Sequence, residues 1–136
     1  MIVVDTNLVA YLLMEGPMLG QAEEVLRKDP EWFAPALWRS EFRNVLAGLV
    51  RRKQIDLPGA LAYWNEADSL VGVPDEQPEG AEILRLAQIS GCTAYDCEFV
   101  ALAQKLGVPL VTADSQILKA FPGTALSPKI FCPENN

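Results

Sequence analysis

The sequence predicts an α/β sandwich, a small and mostly parallel sheet with helices packed against it. Three observations carry that expectation. Short apolar runs alternate with longer helical patterns along the chain, as strands joined by crossover helices require. The apolar runs are continuous rather than alternating with polar residues, which marks strands buried on both faces. The chain has 136 residues and 50% of them are hydrophobic, enough to close one core and too few for two, so one domain is expected over residues 1–136.

Each element has its own signal. Ile2-Val3-Val4 is a β-branched run that predicts a strand, Asp5-Thr6-Asn7 turns the chain, and Leu8 to Met14 reads as a helix. Gly16-Pro17 breaks the pattern before a polar-faced helix over about Leu19 to Lys28. Trp32-Phe33-Ala34 predicts a second strand, ended by Pro35, and a long helix follows from about Ala36 to Lys53. Asp56 and Pro58 open another helix reaching about Leu70, Val71-Gly72-Val73 is a third strand, and Pro74 to Gly80 is a loop. A helix over about Ala81 to Ser90 stops at Gly91. Thr93 opens the next, which runs to Leu106 and stops at Gly107; Val108 to Thr112 is then a β-rich run ending at Asp114. The sequence holds no internal repeat and no linker, and the tail after Pro133 is expected to fray.

Composition narrows the function. The longest uninterrupted apolar run, Leu8 to Met14, is far short of the roughly 20 residues a bilayer span needs, and the first residues lack the basic region of a secretory signal. No membrane association is expected, and the protein is expected in the cytoplasm. Three cysteines, Cys92, Cys97 and Cys132, are too few for a disulfide framework and agree with a reducing compartment. The absence of histidine removes the commonest general base, every histidine-paired nucleophile and a usual ligand of structural zinc. Chemistry must therefore run on carboxylates, hydroxyls, thiols, lysine or bound metal. Eighteen acidic against eleven basic residues give a net charge of -7, which repels a polyanion unless clustered acids hold divalent cations.

Four acids fall where clustering is expected. Asp5 and Asp114 each follow a strand, and ligands of open parallel sheets bind at strand carboxyl ends. The plainer reading of either is a helix cap. Glu41 lies i+3 from Trp38 and i-4 from Val45, at the edge of the apolar stripe Trp38, Phe42, Val45, Leu46 and Leu49, where a carboxylate needs a partner. Pairing with Arg52 or Arg85 is the plainer reading here. Asp96 begins the inward stripe of Phe99, Val100 and Ala103, and with Thr93 it also matches a capping box. Taken together the four suggest an acidic cup for a hard, oxygen-seeking cation. Mutual repulsion among converging carboxylates predicts that at least one has a raised pKa.

These residues carry a resemblance to PIN-domain ribonucleases, of the VapC-like toxin type from type II toxin-antitoxin pairs. The likeness rests on Ile2-Val3-Val4-Asp5-Thr6-Asn7, Ser40-Glu41 with Asn44 and Val45-Leu46, Tyr95-Asp96 through Ala101-Leu102-Ala103, and Pro109 to Asp114, and it spans nearly the whole chain. It implies a three-layer PIN-like fold with a small, mostly parallel central sheet flanked by helices. It also implies that Asp5, Glu41, Asp96 and Asp114 are the catalytic acids and bind Mg²⁺ or Mn²⁺. Thr6 or Thr112 then supplies a hydroxyl near the site, and Asn7 and Asn44 are supporting polar residues. Family members often carry a further acid two residues after the position of Asp114, whereas this chain has Gln116. The implied activity is endoribonucleolytic hydrolysis of RNA phosphodiesters through metal-activated water, and the implied partners are a cognate antitoxin protein and a second copy in a homodimer. The apolar helix surface from Leu57 to Leu70 is the expected dimer contact.

That chemistry suits the composition, because carboxylates are the natural ligands of Mg²⁺ and metal-assisted hydrolysis needs no histidine. Arg39, Arg43, Arg51, Arg52 and Lys53 put five of the eleven basic residues on or beside the Glu41 helix, facing RNA phosphates or simply solvent. Trp38 and Trp64 are assigned to core or interface rather than to RNA stacking. The competing reading is a non-catalytic, Mg-binding regulatory or protein-interaction α/β module. A phosphorelay receiver of that kind carries paired acids after its first strand and a late lysine, and neither is present between Val108 and Leu118 or beside Asp5.

Overall fold

The computed structural model describes residues 1–133, so the predicted fraying of the tail lies outside the described residues. Ile2–Val4 forms β1 with all three side chains buried, as its β-branched sequence and lack of polar residues require. Trp32–Phe33 (β2), Val71–Gly72 (β3), Leu110–Val111 (β4) and Ala125–Leu126 (β5) complete a sheet of order β3-β2-β1-β4-β5. Every pairing is parallel, with Val3 opposite both Phe33 and Leu110, and Val4 opposite Val111. The expected sheet is thus wholly parallel among the described strands.

The order has a functional consequence. From β1 the chain builds outward through β2 and β3 on one side, then returns to build β4 and β5 on the other. The switch point lies between β1 and β4, and a crevice opens there beyond the strand ends. Asp5 follows β1 and Thr112 follows β4, so both stand at that crevice.

Eight helices flank the sheet among the described residues: Thr6–Leu13 (α1), Leu19–Lys28 (α2), Leu37–Arg51 (α3), Leu57–Leu70 (α4), Gly80–Ser90 (α5), Ala94–Leu106 (α6), Ser115–Ala120 (α7) and Pro128–Phe131 (α8). The predicted helix from Leu8 in fact begins at Thr6, because the Asp5 side chain caps it. β5, α7 and α8 have no counterpart in the sequence reading; each is too short, at 2 to 6 residues, to show a period. The two helix stops predicted at glycine fall where the backbone turns left-handed, at Gly91 (φ 73°) and Gly107 (φ 67°).

The core gathers the strands with Leu8, Val9, Trp38, Phe42, Phe99, Val100 and Leu102, all buried. Trp38 is fully buried and stacks on Trp64 of α4 with ring centroids 5.8 Å apart, which assigns both tryptophans to packing of α3 on α4. The same seam uses Arg39, paired with Asp68 at 3.5 Å, and Arg43, whose guanidinium lies 5.1 Å from the Trp64 ring centre.

Candidate active site

Asp5 leaves β1 in an extended conformation (φ -87°, ψ 168°), which turns its carboxylate back over the first turn of α1. Its Oδ1 accepts the Leu8 amide at 2.9 Å and its Oδ2 accepts the Thr112 hydroxyl. Only 8% of Asp5 is exposed. Its carboxyl is pushed up to about 6, chiefly by burial; the bonds from Thr112 and Leu8 pull it down, and the charges of Asp114 and Glu41 push it up further. Repulsion among the acids, the cause expected from sequence, therefore ranks behind desolvation.

Asp114 repeats the arrangement after β4. It caps α7, accepting the Ile117 amide on Oδ1 at 3.0 Å, while its own amide donates to the Thr112 hydroxyl oxygen at 3.0 Å. Thr112, fully buried, thereby ties one acid to the backbone of the other. Glu41, from the second turn of an inward-facing α3, accepts the Thr6 hydroxyl on Oε1 at 2.7 Å. Neither arginine considered for it is its partner: Arg85 holds Glu82 at 2.6 Å, and Arg52 folds back over Gly48. Asp96 sits in the first turn of α6, where its amide donates to the Thr93 hydroxyl at 3.0 Å. Burial raises the Asp96 carboxyl, the Thr93 hydroxyl counters that, and the Asp114 charge adds to the rise.

All four acids line one pocket of about 270 Å³, together with Thr6, Asn7 and Asn44; Val45, Phe99 and Ile117 make its apolar wall. Among the described residues no basic side chain lines it. Asn7 and Asn44 are exposed at the rim. Gln116 is exposed as well and reaches the Gly91 carbonyl at 3.4 Å, bridging α7 to the turn between α5 and α6.

The donor set is oxygen throughout, with no sulfur or imidazole, and it includes a buried aspartate without a cationic partner. Glu41 Oε2 and Asp114 Oδ2 accept no protein hydrogen bond among the described residues. Among those residues no three acids stand close enough, as placed, to enclose an ion directly. A set of separated carboxylates around a polar pocket fits Mg²⁺ or Mn²⁺ held with several of its waters.

Two features were missed from sequence. Ile117 enters the wall through α7, whose six residues gave no periodic signal. Glu98, half-buried on α6, has its carboxyl raised by burial first and then by the charge of Glu41. Its spacing from Asp96 gave no signal, since i+2 residues do not share a helix face.

Comparison with known proteins gives a consistent picture. The PIN domain family model matches residues 2–122. Ribonuclease VapC3 of Pyrobaculum aerophilum is 29% identical over 124 residues, covering 89% of this chain and 95% of that protein. Among solved structures, PAE2754 from Pyrobaculum aerophilum superposes with a TM-score of 0.76 at 23% identity, covering 94% of this chain and 90% of the other. A toxin-antitoxin complex from Klebsiella pneumoniae gives 0.65 at 19% identity over 94% of this chain and 98% of the other.

Proposed function

Because the chain belongs to the PIN domain family, we propose that it is a Mg²⁺- or Mn²⁺-dependent endoribonuclease, the toxin of a toxin-antitoxin pair, acting in the cytoplasm as a single domain over residues 1–136. The observation that carries this reading is the acidic pocket at the switch point, where a buried Asp5 raised to about 6 has no cationic side chain beside it. A carboxylate so placed costs stability unless a cation joins it. The ribonuclease relative supports the substrate class. Among the described residues no helix is long and apolar enough to cross a membrane.

In this reading Asp5, Glu41, Asp96 and Asp114 hold the ion through their carboxylates. When bound, it neutralises phosphate charge and makes a coordinated water more acidic. The chain's own residues do the rest. Thr6 fixes Glu41 and Thr112 fixes Asp5, so the carboxylates are oriented before substrate arrives. Asn7 and Asn44 offer amides at the rim to the phosphodiester oxygens. Phe99, Val45 and Ile117 close one side with apolar surface and limit free water. Arg39 and Arg43 are occupied against α4, which leaves Arg51, Arg52 and Lys53 at the end of α3 as the cations for more distant RNA phosphates.

The partners follow. An antitoxin inhibits by bringing a basic side chain to the acidic pocket; the Klebsiella pneumoniae relative, solved as a toxin-antitoxin complex, supports such a partner. Leu57 and Leu61, exposed one turn apart on α4, are the apolar contact of a homodimer. The deciding experiment measures cleavage of structured RNAs in Mg²⁺, Mn²⁺ and EDTA. Cleavage that needs the ion and disappears in Asp5→Asn supports the reading; cleavage in EDTA, or an active Asp5→Asn, overturns it.

A further inference from the structure

The acidic pocket accounts for phosphate chemistry and leaves base recognition unassigned. Its polar groups are carboxylates and amides, which the ion and the phosphate occupy in the proposed reading, so they are not left over for a nucleobase. A base attached to a phosphate held there has to rest on the rim. The rim has one aromatic available: among the described residues Tyr95 is the only aromatic ring that stands exposed, at 61%. Every other tyrosine, tryptophan and phenylalanine is buried or half-buried.

The position of Tyr95 is fixed by its neighbours. It occupies the first turn of α6, directly before the pocket-lining Asp96, so its Cα lies about 3.8 Å from that of a wall residue. Two flanks of α6 can be told apart. Cys97 lies on the α5 side, its sulfur 3.8 Å from the Ser90 hydroxyl. Phe99, one turn after Tyr95, lies on the opposite side and lines the acidic pocket. Residues four apart share a helix face, so Tyr95 stands beside the pocket-lining face of α6 with its ring exposed. The exposed apolar side chains Leu84 and Ile89 belong to a different helix, α5. A lone ring bordered by Asp96 and Glu98 is a poor centre for an apolar protein contact and a good platform for a flat polar heterocycle.

We propose that Tyr95 is a nucleobase platform, stacking a base next to the phosphate held at the acidic pocket and so selecting single-stranded over duplex RNA. The proposal rests on the ribonuclease reading and adds a specificity-determining residue to it. Stacking needs an exposed base face, which duplex pairing hides on both sides. The ring rather than the hydroxyl supplies the contact, and because every base has a π-face the preference is for strandedness more than sequence.

The test measures binding by fluorescence anisotropy of a fluorescein-labelled, randomised single-stranded oligoribonucleotide, with Ca²⁺ present in place of Mg²⁺ to withhold cleavage. Wild type is compared with Tyr95→Phe, Tyr95→Leu and Tyr95→Ala, and with a labelled duplex as second ligand. Tyr95→Phe is expected to bind within about twofold of wild type, while Tyr95→Leu and Tyr95→Ala lose about tenfold for the single strand and nothing for the duplex. Equal binding by Tyr95→Leu and Tyr95→Phe overturns the platform, because an apolar contact without a ring then suffices. No binding by wild type, or a drop in mass by light scattering in Tyr95→Ala, also overturns it, the latter by assigning the ring to a protein interface. Wild-type cleavage in Mn²⁺ is recorded alongside; its absence counts against the ribonuclease reading and leaves the binding comparison to be judged on its own.

Discussion

The junction of β1 with α1 and that of β4 with α7 are built alike and end up unlike. Each strand runs into an aspartate that caps the following helix through Oδ1, at 2.9 Å for Asp5 and 3.0 Å for Asp114. Asp5 follows the central strand and has a second bond on Oδ2 from Thr112; Asp114 is half-buried and keeps Oδ2 free of protein donors. The same local device thus yields one committed, desolvated carboxylate and one with a spare oxygen. Capping and metal binding are compatible, since a cap uses one oxygen and leaves lone pairs for an ion.

The largest effect that breaks the comparison is catalytic. If both junctions serve one ion, Asp5→Asn and Asp114→Asn should each cut RNA cleavage by about a thousandfold, equivalent to the several kcal/mol of charge stabilisation a metal supplies. Unequal losses, measured as kcat/KM on one RNA, would make one junction a cap alone. Next is the response to metal. Wild type at 100 times its dissociation constant should gain about 2.7 kcal/mol, a rise in Tm of about 10 °C, and Asp114→Asn should lose most of that rise. Thermal melting with EDTA and with Mn²⁺ checks it.

The third effect belongs to Asp5 alone. Its folded value of about 6 stands above the ordinary 3.8, so the folded state binds more protons than the unfolded one between those values. The stabilisation is fully present below pH 3.8 and is lost as pH rises through about 6. Lowering the pH of metal-free protein from 7 toward 5 should therefore raise its stability, within a ceiling of about 3 kcal/mol for the full shift. Denaturant titrations at several pH values should show the rise in wild type and a flatter profile in Asp5→Asn, whose amide keeps the cap. The smallest effects are in the supports. Thr112→Val removes the hydroxyl that serves both junctions and should cost about 1–3 kcal/mol, while Gln116→Ala, on an exposed bond of 3.4 Å, should stay within about 0.5 kcal/mol.

The legible parts of this fold were those with length or punctuation. α3, α4 and α6 show a period or a cap signal over 13 or more residues, and Gly91 and Gly107 ended helices where the backbone demanded it. β4 proper is Leu110–Val111, and the bonds at the Pro109 carbonyl and the Thr112 amide carry the β-rich run one residue further at each end, leaving only Val108 outside it. The four acids could be picked out because strand ends and inward helix positions are readable from periodicity. Their hydrogen-bond partners could not: the bond from Thr6 to Glu41 spans 35 residues and depends on how α1 meets α3. For the same reason the arginines near Glu41 divided in a way no pattern showed, Arg39 and Arg43 turning to α4.

Thr112 and Asp5 meet across 107 residues of chain. On the ribosome, at 5–20 residues per second, Asp5 is therefore made about ten seconds before the hydroxyl that orients it and the strand that flanks it. Until β4 docks, one side of β1 stays open beside Asp5, and the long loop to be closed makes that docking a late event. The acidic pocket is consequently completed only near the end of synthesis, by the order in which its strands are made.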